Sequence, residues 1–272
     1  MKPIKFSKFH GFGNDYIVIQ HEEIQSIHDL GEFSKRICHR NLGVGGDGIA
    51  VLRKLDEEAD YECRIINPDG SEAGFSGNGT RCAVAFLYYE NLFTELNLKL
   101  KTNSGVKNYQ FLKREDNTFW FLAELGNPSE ITNYELRITN YEKPFSVVTL
   151  DVGNPVCVYF VEDFGAIDWR EIGKETESHP HFPNRTNVVF VKPIDKNNIE
   201  IRIWERGAGE TSSSGTCSIA AAVASNFADK TGRNVSVHAE GGTTEAVWRE
   251  DDEMMITGRA DLAFTGEYFF EF

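Results

Sequence analysis

The 272-residue sequence lacks any apolar run long enough to cross a membrane. Its longest apolar runs, such as residues 83–89, fall far short of the roughly 20 residues that a membrane helix needs. Residues 1–9 carry three lysines but no apolar core, so we expect no secretory signal. Hydrophobic residues make up 40% of the chain, which is too much for a disordered protein. We therefore expect a folded protein with no membrane partner.

The sequence also lacks an excess of positive charge. Lys and Arg number 28 against 42 Asp and Glu, so the formal net charge is −14 at pH 7. Nucleic acids and anionic membrane surfaces both favour proteins with positive patches. We therefore expect no nucleic acid partner, although a local basic patch is compatible with this total.

Cysteine patterns typical of metal sites are missing as well. The five cysteines are odd in number, none forms a C-x-x-C pair, and no zinc spacing is present. Such usage favours reduced thiols in a cytoplasmic enzyme. The glycine cluster at 43–48 lacks the phosphate-binding G-x-x-x-x-G-K-[ST] pattern and a Rossmann context. We therefore expect no metal, nucleotide or flavin cofactor.

Short strands separated by Gly and Asn turns dominate the pattern, which predicts an α/β fold with few helices. The predicted strands are residues 2–9, 16–20 and 49–52. The predicted helices are residues 33–39, 83–93 and 218–227.

The peptide ITNYE occurs at 131–135 and again at 138–142. Two copies are too few for a solenoid or a coiled coil. We interpret residues 131–144 as a junction or an edge hairpin, with an N-terminal half at 1–130 and a C-terminal half at 145–272.

A larger repeat aligns residues 61–87 with residues 199–225 at a constant offset of 138. Ser76 aligns with Ser214, and Asn67 aligns with Glu205, nine positions before each serine. Each copy has the order strand, Gly- and Ser-rich turn, apolar helix. This shared order favours an internal duplication over chance identity.

Both serines stand where a predicted helix begins. The first turn of a helix has unpaired N–H groups and the positive end of the helix dipole, and glycine lets an anion approach closely. Two such helix starts, one from each copy, would cradle a carboxylate or phosphate. This arrangement suits inversion at Cα of an amino acid, because donors aimed at the carboxylate stabilise charge as it develops. Alternatively, Ser76 and Ser214 are only helix N-caps, for which serine is preferred.

Many segments resemble those of the diaminopimelate epimerase family, in the family's order and over essentially the whole chain. They are 9–16 (FHGFGNDY), 43–48 (GVGGDG), 67–71 (NPDGS), 77–82 (GNGTRC), 153–155 (GNP), 185–188 (RTNV), 205–211 (ERGAGET), 215–216 (GT) and 257–260 (TGRA). The resemblance implies two pseudo-symmetric α/β halves. Each would be a mostly antiparallel, barrel-like sheet around a central helix, with the active site in the cleft between them.

The same resemblance implies a function. It implies a pyridoxal-independent, cofactor-free isomerase that uses two bases for proton transfer at Cα. The default substrate is L,L- or meso-diaminopimelate, a small amino acid of the lysine and cell-wall precursor pathway. Relatives often form homodimers, and the sequence alone identifies no surface for one.

Carried over position by position, the resemblance assigns catalytic positions to Ser76, Ser214 and Glu205. The implied substrate contacts are Asn14, Asn67, Gly77, Asn78, Asn154, Asn187, Arg206, Gly215 and Thr216. In each case a purely structural role is open: asparagine is a common turn residue, and Arg206 is equally suited to a surface salt bridge. Glu210 is equally suited to a charge near a helix start.

Three positions depart from the family. The family's two catalytic bases are cysteines at the positions of Ser76 and Ser214, and it usually has histidine at the position of Val156. A thiol has a pKa of about 8.5, whereas a hydroxyl is a far weaker acid, close to water at about 15.7. A serine therefore needs an adjacent base. Glu205 is a candidate for one serine, and the sequence offers no obvious partner for the other.

These departures leave several functions open. One alternative is a natural epimerase that uses serine. A second is a relative with a different reaction, such as a double-bond isomerase or dehydratase. A third is an epimerase whose catalytic residues were substituted by serine, but this alternative does not explain Val156. A fourth alternative is a non-catalytic amino acid binding module. Cys82 and Cys217 do not replace the missing thiols, because their positions favour small core residues.

Overall fold

The computed structural model describes residues 3–270. The chain forms two compact units. The first contains the described residues of Met1–Ala123 and Gly258–Phe272, and the second contains Glu124–Thr257. Among residues 3–270, no helix combines the length and apolar character needed to cross a membrane.

Seventeen strands and four α-helices make up the described chain. In chain order they are β1 (Ile4–Gly11), β2 (Asn14–Gln20), α1 (Leu30–Ile37), β3 (Ile49–Lys54), β4 (Tyr61–Ile66), β5 (Glu72–Ala73), α2 (Gly77–Tyr89), β6 (Asn97–Thr102), β7 (Gly105–Glu115), β8 (Thr118–Gly126), β9 (Ser129–Leu136), β10 (Phe145–Asp151), β11 (Pro155–Phe160), α3 (Trp169–Glu177), β12 (Asn187–Asp195), β13 (Asn198–Glu205), β14 (Gly209–Thr211), α4 (Gly215–Phe227), β15 (Asn234–Ala239), β16 (Gly242–Trp248) and β17 (Met254–Tyr268).

The first unit places α2 against a mixed sheet. Strands β1 and β2 form an antiparallel hairpin, β2 runs parallel to β3, and β3 is antiparallel to β4. Strand β4 then runs parallel to β6, and β6 pairs antiparallel with β7. Helix α2 packs on β1 to β4, and every residue from Asn78 to Leu87 is buried. A helix that is buried on all faces is the core of its unit.

The second unit repeats this plan around α4. Strands β10 and β11 are antiparallel, β11 runs parallel to β12, and β12 is antiparallel to β13. Strand β13 runs parallel to β15, which pairs with β16. Residues 216–225 of α4 are all buried, against β10 to β13, β15 and β16. The expected α/β architecture, with a central helix in each half, is confirmed.

The internal duplication is confirmed at the level of register. Helices α2 and α4 have 13 residues each and begin at Gly77 and Gly215. Ile65 pairs with Ala73 between β4 and β5, and Ile203 pairs with Thr211 between β13 and β14. Both comparisons reproduce the offset of 138 seen in the sequence. The two copies therefore share their hydrogen-bonded pairings as well as their order.

The compact units differ from the sequence-derived halves at both boundaries. Residues 258–270 belong to the first unit, because β17 pairs antiparallel with β1 from Ile4↔Tyr268 to His10↔Asp261. Residues 131–144 belong to the second unit, where β9 and β10 form a hairpin closed by Leu136↔Phe145. Residues 1, 2, 271 and 272 of the expected halves, and residue 2 of the first expected strand, lie outside the described residues.

Asp15 is a buried carboxylate of the first unit. The guanidinium of Arg40 donates to its two oxygens at 2.8 and 3.1 Å, and Nζ of Lys8 lies 2.8 Å away. Burial raises the pKa of Asp15, but the hydrogen bonds from Arg40 and Lys8 outweigh it, so the pKa falls from 3.8 to about 2. Ionised Asp15 therefore stabilises the folded unit.

We expect Asp15→Asn to lower the free energy of unfolding by about 2 kcal/mol at pH 7. The folded-state pKa lies below the unfolded one, so this contribution is present above pH 3.8 and disappears as the pH falls through about 2. Urea unfolding at pH 7 and at low pH measures the difference. The exposed Asp56→Asn is the control, and an equal loss for Asp15→Asn at both pH values would contradict the charge-based account.

Candidate active site

In the first unit, Ser76 caps the start of α2. Its backbone is extended (φ −137°, ψ 118°), and its Oγ accepts a hydrogen bond from the N–H of Gly79 at 3.1 Å. The N-cap role considered for this serine is therefore confirmed. The Oη of Tyr16 lies 2.9 Å from the same oxygen. The first-turn N–H groups of Gly77 and Asn78 have no preceding turn to bond to, which suits them to an anion.

Asn14 and Asn78 lie together in a directed chain of hydrogen bonds. Arg81 Nη1 donates to Asn78 Oδ1 at 3.0 Å, and Asn78 Nδ2 donates to Asn14 Oδ1 at 3.2 Å. Asn14 Nδ2 then donates to Asp47 Oδ2 at 2.8 Å. Both amide oxygens serve as acceptors inside this chain, and each amide keeps one N–H that the chain does not use.

Arg81 anchors this chain from inside the unit. It is 2% exposed, and burial lowers its pKa. The guanidinium also approaches the carbonyl oxygen of Arg259 at 3.4 Å. A Cβ at Gly258 would come within 2.6 Å of the Arg81 guanidinium carbon, so glycine is needed there.

Asn67 lies apart from this chain, in the turn after β4. Its Nδ2 donates to Ser71 Oγ at 3.0 Å, and its carbonyl oxygen accepts from Ser34 Oγ at 2.9 Å. Its hydrogen bonds are therefore those of a turn residue.

In the second unit, Ser214 caps α4 more loosely than Ser76 caps α2. The N–H of Cys217 donates to Ser214 Oγ at 3.5 Å, and Thr216 Oγ1 lies 3.4 Å from that oxygen. Gly215 and Thr216 form the first turn of α4. Asn154 Nδ2 lies 3.4 Å from Thr216 Oγ1, which joins Asn154 to this helix start.

Asn154 also carries an unsatisfied acceptor. Its Oδ1 is buried and finds no hydrogen-bond partner within residues 3–270. Buried polar atoms without a partner are rare in proteins and require an explanation. A bound donor would supply the missing hydrogen bond.

Asn187 and Arg206 hold each other in place nearby in the same unit. The backbone N–H of Arg206 donates to Asn187 Oδ1 at 2.9 Å, and Arg206 Nη1 donates to the carbonyl oxygen of Asn184 at 3.1 Å. Arg206 and Asn154 line one cavity of ≈ 820 Å³ within the second unit. Val156, where the family usually has histidine, lines the same cavity.

Glu205 is oriented at the end of β13 by Thr211, whose Oγ1 donates to Glu205 Oε1 at 2.8 Å. Burial raises the pKa of the Cys217 thiol, and the negative charge of Glu205 raises it further. Burial also raises the pKa of Cys82. All five cysteines are free and buried, so the interpretation of Cys82 and Cys217 as core residues is confirmed.

Sequence reasoning missed Glu177, which lies at the end of α3. Its carboxylate is 6% exposed and accepts from Trp204 Nε1 at 2.9 Å and from the N–H of Gly207 at 2.6 Å. It also pairs with the guanidinium of Arg185, a residue with a left-handed backbone (φ 61°). Glu177 therefore connects the segments that carry Asn187 and Arg206.

Helix α3 also contacts Glu210, which follows Arg206 by four positions in the chain. The guanidinium of Arg170 donates two hydrogen bonds of 2.7 Å to Glu210, and these lower the pKa of that carboxyl group. Glu210 lies in β14, so its role is this ion pair rather than a charge near a helix start. The sequence did not predict α3, and both contacts were therefore missed. Among residues 3–270, no group of three or more His, Cys, Asp or Glu side chains is arranged to hold a metal ion.

Sequence comparison with known proteins identifies the family that the sequence motifs resemble, and structural comparison finds proteins that share the fold. The family model for diaminopimelate epimerase matches residues 6–130 and 148–263. Diaminopimelate epimerases of Desulfitobacterium hafniense and Pelotomaculum thermopropionicum are 34% and 35% identical, over 95% and 97% of this chain and 96% and 98% of theirs.

Two solved structures share the fold at low sequence identity. A phenazine biosynthesis protein of the PhzF family from Bacillus anthracis has a TM-score of 0.74 at 16% identity, over 99% of this chain and 100% of that one. A hydroxyproline epimerase from Agrobacterium vitis has a TM-score of 0.71 at 14% identity, over 98% of this chain and 92% of that one. The family-model match and the sequence relatives together show that the chain belongs to the diaminopimelate epimerase family.

Proposed function

We propose that the protein is a cofactor-independent amino acid epimerase that inverts Cα, with diaminopimelate as its substrate. The observation that carries this proposal is the pair of matched helix starts. Each has a serine N-cap followed by glycine, and in each a first-turn side chain hydrogen-bonds an asparagine: Asn78 bonds Asn14, and Thr216 bonds Asn154. The names of the sequence relatives support the choice of substrate.

The hydrogen-bonding groups fit the two charged ends of an amino acid. Asn14 and Asn78 offer N–H donors, and so do the first-turn amides of α2, which suits a carboxylate. In the second unit, the unsatisfied Asn154 Oδ1 suits an ammonium donor, and the cationic Arg206 in the same cavity suits a second carboxylate. Diaminopimelate carries both kinds of charged group at each of its ends, which suits either set.

Proton transfer at Cα needs a group that removes a proton and another that returns one. We assign Ser76 to one of these positions and Ser214 with Glu205 to the other. A hydroxyl cannot lose its proton alone near neutral pH, so a neighbour must accept or replace that proton. Glu205 provides a carboxylate on the Ser214 side.

Deuterium exchange at Cα tests the proposed function directly. The protein is incubated in D₂O with L,L-diaminopimelate and a panel of other amino acids, and the Cα–H signals are followed by NMR. Loss of the signal for diaminopimelate supports the proposal. Ligand-induced shifts without exchange for any compound would instead indicate an amino acid binding module.

We expect Ser76→Cys combined with Ser214→Cys to raise the exchange rate by about tenfold or more, because a thiol is far more acidic than a hydroxyl. The rate is measured by the same NMR assay. The exposed Ser178→Cys controls for the addition of a thiol as such. If the double variant is no faster, acidity at these positions does not limit the reaction, and Val156→His becomes the next substitution to test.

We expect Asn187→Ala to weaken binding of diaminopimelate about tenfold while lowering the chemical rate less. The substitution removes the acceptor that holds the backbone of Arg206. Titration calorimetry gives Kd, and the exchange assay gives the rate. Asn14→Ala should behave alike, and the exposed Asn133→Ala should change neither quantity. An unchanged Kd for Asn187→Ala would count against a substrate contact at this position.

A further inference from the structure

We propose that Tyr16 and Ser76 form a proton-relay pair, in which Tyr16 replaces the proton that Ser76 gives to the substrate. The pair rests on the proposed epimerase function and supplies the partner that Ser76 otherwise lacks. It lies entirely within the first unit, with Tyr16 on β2 and Ser76 at the start of α2.

The hydrogen bonds around Ser76 Oγ set the direction of its own hydroxyl. Tyr16 Oη lies 2.9 Å away, and the N–H of Gly79 donates at 3.1 Å. A phenol has a pKa of about 10 and an alkyl hydroxyl one near that of water, so the phenol is the better donor of the two. With both lone pairs of Ser76 Oγ occupied, its own hydrogen is left to point toward a ligand.

Two glycines form the slot that holds the Tyr16 ring. A Cβ at Gly48 would lie 2.9 Å from Cε1 of Tyr16 and 3.0 Å from the carbonyl oxygen of Ile66. A Cβ at Gly79 would also lie 2.9 Å from Cε1 of Tyr16, and 3.1 Å from Ser76 Oγ. Neither position has room for a side chain. The ring is therefore fixed beneath the serine, with only 6% of Tyr16 exposed.

This arrangement avoids a serine alkoxide. As the Ser76 O–H bond breaks and its proton bonds to the Cα carbanion, the Tyr16 O–H bond breaks and its proton bonds to Ser76 Oγ. Ser76 ends neutral, and the negative charge rests on the phenol oxygen of Tyr16. The pKa of a phenol lies about six units below that of an alkyl hydroxyl. The phenolate then takes a proton from water. In the opposite direction, Ser76 Oγ accepts the Cα proton while its own proton passes to the Tyr16 phenolate.

The relay distinguishes Ser76 from Ser214. The hydroxyl next to Ser214 is that of Thr216, at 3.4 Å. Threonine and serine hydroxyls have similar acidity, so Thr216 offers no advantage as a proton source. Ser76 therefore has a phenol within hydrogen-bond distance, whereas the proposed function assigns the Glu205 carboxylate to Ser214.

Tyr16→Phe tests the relay, because it keeps the ring and removes the hydroxyl. We expect the Cα exchange rate to fall about 100-fold, with Kd for diaminopimelate unchanged within about threefold. Tyr109→Phe is the matched control. Tyr109 is a buried tyrosine of the same unit whose hydroxyl bonds Thr80 Oγ1, also on α2, at 2.6 Å. We expect its exchange rate to stay within about threefold of the wild type.

A second background separates proton transfer from structure. In the protein with Ser76→Cys and Ser214→Cys, Tyr16→Phe should lower the rate less than about fivefold, because a thiol transfers protons without a relay. A merely structural role would lower it equally in both backgrounds and would overturn the relay. If Tyr16→Phe does not fold, difluorotyrosine at position 16 keeps the shape and makes the phenol more acidic. It must shift the pH profile of exchange to lower pH, and an unchanged profile overturns the proposal.

The outcomes for the wild type keep the two proposals apart. If the wild-type protein exchanges Cα–H and Tyr16→Phe exchanges it equally fast, the relay is overturned and the epimerase function stands. If the wild-type protein exchanges no amino acid, the epimerase function fails and the relay fails with it.

Discussion

The first-turn N–H groups of a helix have no partner within the helix, so water, the protein or a ligand must satisfy them. Both α2 and α4 are in this position. In each, a serine cap satisfies one group: Ser76 accepts from Gly79, and Ser214 accepts from Cys217. The groups before them remain available, and the glycine that opens each helix keeps access to them clear. The surrounding strands bury these helices, and so they create the demand that a carboxylate would meet.

The two copies of this helix start have diverged in opposite chemical directions. In the first unit, the chain from Arg81 to Asp47 consumes both amide oxygens, which leaves donors. In the second, Asn154 retains an unsatisfied oxygen, and Glu205 adds a carboxylate at the end of β13. Under the proposed function, the first copy therefore offers mainly donors, whereas the second adds an acceptor and a carboxylate.

The sequence predicted the parts of the fold that depend on local order. The repeat at offset 138 placed both helix starts at the serines. The predicted bounds of 83–93 and 218–227 nevertheless begin late, because glycine at 77 and 215 is a poor helix former, and the first runs past Tyr89, where α2 ends. Contacts between distant residues were not visible. Tyr16 and Ser76 are 60 positions apart, and residues 258–270 join the first unit through long-range contacts such as the pairing of β17 with β1. Glu177 was missed because the short, charged helix α3 was not predicted.

The exchange of thiol for hydroxyl changes what the neighbours must do. A thiol near its pKa can hold or release a proton alone, so its surroundings need only adjust that pKa. A hydroxyl is always protonated near neutral pH, so it transfers a proton only when a second group gains or loses one at the same time. The phenol of Tyr16 lies at hydrogen-bond distance from Ser76 Oγ. The contact matters more to a serine than to a cysteine, because for serine the partner supplies the proton itself. Under the proposed function, Ser76 and Ser214 leave no thiolate whose pKa a neighbouring histidine would adjust, which is consistent with valine at position 156.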